Sequence, residues 1–201
     1  MKSQLKRGLF CCLLMPTCVW AIQPDVKLVD VRYDGSGCPG GSVSTSMTPN
    51  KGAINAVFDH FFTLLEGKSS QNIKRCRLSM KIDVPKNKRV RLQQVKFRGF
   101  IDLPEDSETE IIRNYRFGNV SKQLSDTWTG EVFSIINQRE AFNTKWSKCG
   151  KDVMLEIDSR MELRTQSTKR SQSGVDSFDH LMTLDYRGER GWKFILSYTP
   201  C

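Results

Sequence analysis

Arg75-Cys76-Arg77-Leu78-Ser79-Met80-Lys81-Ile82-Asp83 sets apolar residues at every even position and polar ones at every odd position. Side chains alternate across a strand with period two, so this stretch predicts a β-strand with one dry face and one wet face. A turn at Pro85-Lys86-Asn87 follows, and Val90 and Leu92 then alternate with Arg89 and Arg91. At Gln93-Gln94 the phase slips by one, after which Val95, Phe97, Gly99, Ile101 and Leu103 carry the apolar face onward. One extra residue inside a long strand is the sequence mark of a β-bulge. The alternation returns at Val153, Leu155, Ile157, Ser159, Met161 and Leu163, and again at Phe178, His180, Met182, Leu184 and Tyr186. Trp192, Phe194, Leu196 and Tyr198 form the last such face.

Strands wet on one side belong to antiparallel sheets, and several of them share one core only if two sheets stack. The expected fold is therefore all-β, an antiparallel β-sandwich with the jelly roll as one candidate topology. Loops are expected at 35–41, 67–71, 104–108, 119–125 and 165–176. The last has no apolar residue before Val175 and reads as the mobile tip of a hairpin. Helix is scarce; the one candidate is 134–142, where the spacing is ambiguous. No internal repeat or linker divides the chain, which points to a single domain over residues 22–201.

That domain is preceded by what reads as a secretory signal peptide over residues 1–21. Lys2, Lys6 and Arg7 make a basic start, an apolar run spans 8–14, Pro16 breaks it, and Val19-Trp20-Ala21 suits a leader peptidase. The apolar run is well short of the roughly 20 residues a membrane span needs, and no other stretch is apolar enough to cross. A secreted location, extracellular or periplasmic, is expected after cleavage near Ala21. Cleavage removes Cys11, Cys12 and Cys18 and leaves Cys38, Cys76, Cys149 and Cys201. An even number in an oxidising compartment predicts two disulfides, in any of three pairings. The pairs 38–76 and 149–201 are favoured because each closes a loop within one half of the chain. No CxxC or Cys/His cluster argues for zinc, and neither a metal nor a cofactor is expected.

Charge gives the strongest functional lead. The chain carries 31 Lys and Arg against 22 Asp and Glu, a formal +9. If 75–83 and 89–98 formed a hairpin through Pro85, one outer face would gather Arg75, Arg77, Lys81, Arg89, Arg91, Lys96 and Arg98. Such a stripe attracts polyanions in a salt-dependent way. Its expected partner is an anionic polysaccharide or cell-envelope surface. Few aromatics interleave it, which disfavours stacking of single-stranded nucleic acid. An ordinary solvated face, partly neutralised by Glu156, Asp158 and Glu162 on an adjacent strand, is the plain alternative.

Other chemistry is thin. Gly35-Ser36-Gly37-Cys38-Pro39-Gly40 fits a dinucleotide fingerprint in letters only, because Pro39 and the β-branched Val43 and Thr45 follow where a helix is required. The two histidines are His60, beside Asp59, and His180, on an apparently inward face. Glu156 and Asp158 share a strand face at a glycosidase-like spacing, but Arg160 and Arg164 continue that face as a charge ladder. Asn119-Val120-Ser121 is a glycosylation acceptor in a eukaryotic host. No catalytic residue set is assigned.

The element Gly35-Ser36-Gly37-Cys38-Pro39-Gly40-Gly41-Ser42-Val43-Ser44 resembles the start of a secreted family of bacteria and fungi, the domain of unknown function 4360. Phe58-Asp59-His60-Phe61, Arg75-Cys76-Arg77-Leu78 and Phe97-Arg98-Gly99-Phe100 extend the resemblance, which runs from about Val29 to Cys201. It implies an extracytoplasmic β-rich domain with paired cysteines and brings no catalytic residues with it. The expected function is a non-enzymatic binding or structural module that uses its basic face on an anionic envelope polymer or glycan. Two other classes stand beside it. One is a secreted hydrolase of polysaccharide or peptide acting through His60 and nearby carboxylates. The other is an effector or inhibitor presenting the 165–176 loop to a protein.

Overall fold

A computed structural model describes residues 26–67, 70–175 and 191–201. The leader at 1–21 and the Phe178, His180, Met182, Leu184 and Tyr186 face lie outside the described residues. Every regular element among the described residues is a strand: β1 (Lys27–Asp34), β2 (Val43–Met47), β3 (Ala53–Phe58), β4 (Phe62–Leu65), β5 (Gln71–Asp83), β6 (Lys88–Leu103), β7 (Ser107–Phe117), β8 (Val120–Thr129), β9 (Val132–Ala141), β10 (Val153–Thr165), β11 (Ser171–Val175) and β12 (Trp192–Pro200). They form a sandwich of two antiparallel sheets. The five-stranded sheet has the order β1-β5-β10-β7-β8. The other has the order β2-β3-β12-β6-β11-β4, with β9 paired to β6.

The alternating faces turn inward as the period-two pattern requires. Leu78, Met80 and Ile82 of β5 and Leu155, Ile157, Met161 and Leu163 of β10 are buried against Val95, Phe97 and Ile101 of β6. Trp192 has no exposed surface and lies among Phe58, Phe61 and Phe97, with ring centroids 5.0–6.0 Å away. Burying each such side chain contributes about 1.5–3 kcal/mol. The bulge falls where the phase slips: Ile195 faces Gln94 and Leu196 faces Leu92, which leaves Gln93 unpaired with β12. The freed Gln93 carbonyl accepts from the amides of Phe142 and Asn143.

Cys38 is bonded to Cys76, and Cys149 to Cys201. The glycine-rich element is a tight turn against β5 rather than a cofactor loop. Gly35 has φ +129°, and a Cβ there would lie 2.2 Å from the Arg75 carbonyl oxygen, so only glycine fits.

Four expectations are corrected. β5 and β6 do not form a hairpin: the turn at 84–87 carries the chain from one sheet to the other, so their dry faces oppose each other across the core. Segment 134–142 is strand β9 up to Ala141, not a helix, because the chain pairs along β6 from Val132 to Ala141. Segment 119–125 is mostly strand β8, after a turn at Gly118-Asn119. Segment 165–176 is not a mobile tip, since Ser171–Val175 is a buried strand between β6 and β4. Its hydroxyls satisfy one another inside the sandwich. Ser173 Oγ lies 2.8 Å from Thr63 Oγ1 and 2.7 Å from Thr109 Oγ1, and Ser107 Oγ is 2.6 Å from Thr165 Oγ1. A polar group enters a core at little cost when it is paired there.

A second polar cluster fills the interior beside β9. The guanidinium of Arg113, 1% exposed, donates to Asp126, to Gln138 at 2.9 Å and to Glu140 at 2.8 Å. It also lies over the Phe97 ring, 4.4 Å from the centroid. Trp192 Nε1 donates to the Tyr115 hydroxyl at 2.9 Å, and burial raises that phenol well above its usual range.

Candidate functional site

The crossover at 84–87 divides the seven cations of the expected basic stripe. Arg75, Arg77 and Lys81 lie on the outer face of the five-stranded sheet, whereas Arg89, Arg91, Lys96 and Arg98 belong to the opposite sheet. On the first face two of the three cations are already paired. Arg77 pairs with Asp34 at 3.0 Å and Lys81 pairs with Asp152 at 2.9 Å, whereas Arg75 lies opposite another cation, Arg160. Arg98 is buried rather than displayed. Arg91 and Arg89 lie over Trp146, at 4.7 and 5.7 Å from the ring centroid.

What the five-stranded sheet does present is a grid. Strand register places Asp34, Arg77, Asp158, Asn114 and Gln123 in one row across all five strands. The adjacent row is Arg32, Ser79, Glu156, Arg116 and Ser121. Four steps of about 4.8 Å between strands make each row roughly 19 Å long. These ten residues line a single open groove of about 750 Å³. Its floor is held by its own contacts. Arg116 bonds Glu156, which raises the guanidinium further above its usual range, and Asn114 Nδ2 donates to the Asp158 carbonyl at 3.3 Å. The two rows balance three arginines against three carboxylates, and Lys122, which also lines the groove and donates from Nζ to the Ala141 carbonyl at 3.0 Å, leaves a single positive charge over.

A second cavity of about 580 Å³ adjoins this groove, because Arg116 and Glu156 line both. Its lining includes Lys145, Trp146, Ser147, Lys148 and Lys151 from the segment before β10. On the other sheet, register aligns Ile135, Phe100, Gly174 and Phe62 into one row, flanked by Phe133 opposite Asp102. Gly174 makes that row fit: a Cβ there would lie 2.5 Å from the Phe100 ring. Phe100 itself is only 8% exposed, so this row is partly covered.

Asp59 and His60 are exposed in the bend between β3 and β4, and they do not line the groove. Glu156 and Asp158 sit in the grid, where Glu156 is engaged by Arg116. Sequence reading named Arg77, Glu156 and Asp158 as candidates but missed Arg32, Asp34, Ser79, Asn114, Arg116, Ser121 and Gln123. Their strands had to be aligned across the sheet before the row existed, and no local pattern carries that information.

Comparison with known proteins gives a sequence relative and similar solved structures. An "Uncharacterized secreted protein" of Arthroderma benhamiae (strain ATCC MYA-4681 / CBS 112371) is 26% identical over 171 residues, covering 81% of this chain and 69% of its own. The structure of TmCBM61 in complex with β-1,4-galactotriose is similar at a TM-score of 0.29 and 12% identity, over 87% of this chain and 91% of that one. The family model for a domain of unknown function, DUF4360, matches residues 24–189. The chain thus belongs to the DUF4360 family.

Proposed function

We propose that this protein is a secreted, non-enzymatic module that binds a polysaccharide along the outer groove of its five-stranded sheet. The observation that carries this reading is the pair of polar rows spanning all five strands in register. A chain of sugar hydroxyls offers alternating donors and acceptors. The grid answers with planar amides, guanidinia and carboxylates fixed on rigid strands, which limits the entropy lost on binding. Secretion is supported by the leader-like start, by two disulfides and by the printed name of the Arthroderma benhamiae relative. The balanced charge of the two rows favours a hydroxyl-rich polymer over a plain polyanion, so the basic stripe is not part of this proposal.

Affinity electrophoresis through gels containing soluble cell-wall polysaccharides tests it. The secreted protein is expected to be retarded by at least one polymer, with little change between about 50 and 300 mM salt. A Ser79→Trp variant, which fills the groove, should lose at least about tenfold in affinity, equivalent to about 1.4 kcal/mol. A Ser44→Trp control on the exposed face of β2 should bind as the parent does. Retardation that survives Ser79→Trp, or none with any polymer, contradicts the reading.

A further inference from the structure

The cavity next to the groove differs from it in charge. Four cations line it, Arg116, Lys145, Lys148 and Lys151, against two carboxylates. Both carboxylates are spoken for. Asp152 is held by Lys81 at 2.9 Å, and that hydrogen bond keeps its carboxyl below the usual range, while Glu156 is bonded to Arg116. Lys145, Lys148 and Lys151 are exposed and have no ion pair among the described residues. A site with three uncommitted ammonium groups around one aromatic ring is complementary to an anion carried on a ring-shaped body.

The lysines ride on a segment that is fixed rather than loose. Thr144 N donates to the Leu92 carbonyl while Leu92 N donates to Thr144 Oγ1, both at 3.0 Å. Three residues on, Ser147 N donates to the Val90 carbonyl at 2.8 Å, and Val90 N donates to Ser147 Oγ at 3.0 Å. Two hydroxyls thus stand in for backbone acceptors, and Lys145 and Trp146 bow outward between them. Gly150 N reaches the Lys88 carbonyl at 2.9 Å, and Cys149 is tied to Cys201. Arg89 and Arg91 lie over the Trp146 ring but do not line the cavity, so the ring separates them from it and is itself held in place. Their Nε atoms are buried without hydrogen bonds.

We propose that this cavity is an acidic-sugar subsite, in which Trp146 meets the apolar face of a pyranose and Lys145, Lys148 and Lys151 take its carboxylate or sulfate. This rests on the groove reading, since the polymer enters from the groove past Arg116 and Glu156. Lysine suits the task as a mobile point charge that tolerates either anion.

The test uses the secreted, oxidised protein from a host that does not glycosylate Asn119, and titration calorimetry at about 50 and 300 mM salt. The probes are polygalacturonate, its methyl ester and a sulfated galactan. The parent should bind polygalacturonate at least about tenfold more tightly than the ester at low salt, and lose that preference at high salt. Changing Lys145, Lys148 and Lys151 together to Gln should remove the preference while leaving ester binding in place. Trp146→Ala should weaken acid and ester alike. Sulfated galactan bound with the same lysine dependence supports the subsite and widens its anion. Equal affinity of the parent for acid and ester, with Ser79→Trp abolishing both, overturns the subsite and leaves the groove standing. An acid preference that persists in the lysine variant overturns the subsite as well. Acid binding lost with the lysines yet indifferent to Ser79→Trp overturns the groove instead.

Discussion

Arg113→Met is expected to lower folding stability by about 3–5 kcal/mol, because it leaves a buried carboxylate without its cation. Methionine keeps most of the stem volume, so the loss reports charge rather than a cavity. Glu140 is only 9% exposed, and its partner is Arg113 at 2.8 Å. Burial raises the Glu140 carboxyl above its usual range even now, with Arg113 pulling it back down. Without Arg113 the folded-state value rises further above the unfolded one. A group raised in this way supports the fold below the unfolded pKa and withdraws that support as pH climbs through the folded one. The deficit of the variant against the parent should therefore be largest near pH 7 and shrink below about pH 4.3. Adding Glu140→Gln should recover much of it at neutral pH. Denaturant unfolding of the three proteins at both pH values checks this; a deficit independent of pH sinks the account.

The second large effect concerns the Cys149–Cys201 bond. Replacing both cysteines with serine is expected to reduce stability by about 4 kcal/mol, since the bridge closes a loop with a sequence separation of 52 residues. The bond does more than shorten the unfolded chain. It joins the segment that carries Lys145, Trp146 and Lys148 to the C-terminus, where Cys201 N also donates to the Asn87 carbonyl at 3.0 Å. The serine variant should accordingly lose acid preference in the calorimetric assay as well as resistance to denaturant. A loss under about 1 kcal/mol would mean that the hydrogen bonds to β6 hold this edge without the bridge.

Particular strands explain how far the sequence could be read. β5 and β10 were legible because each sends apolar side chains to one face and mostly charged ones to the other, and β12 because Trp192, Phe194, Leu196 and Tyr198 share one face. The bulge at Gln93 was legible for the same reason, as a slip of phase. β7 was hidden by Arg113, a charge at an inward position that only its partners on β8 and β9 make tolerable. β9 misled because Phe133 and Ile135 are apolar and exposed while Gln138 and Glu140 turn inward, which blurs the period. β11 misled because its core contacts are made by hydroxyls. The hairpin expected to carry the basic stripe failed for a topological reason: a tight turn between two strands looks the same in sequence whether it closes a hairpin or joins two sheets.

The claim at the centre is that ligand lies across the two polar rows of the five-stranded sheet. The most direct measurement is a titration of isotope-labelled protein with xylo-, manno-, galacto- and galacturono-oligosaccharides, followed by amide and side-chain NMR shifts. The side-chain amides of Asn114 and Gln123, and the backbone at 32–34, 77–79, 114–116, 121–123 and 156–158, should move together with at least one sugar. Shifts confined to Phe62, Phe133 and Ile135 on the opposite sheet, or none with any sugar, would contradict it.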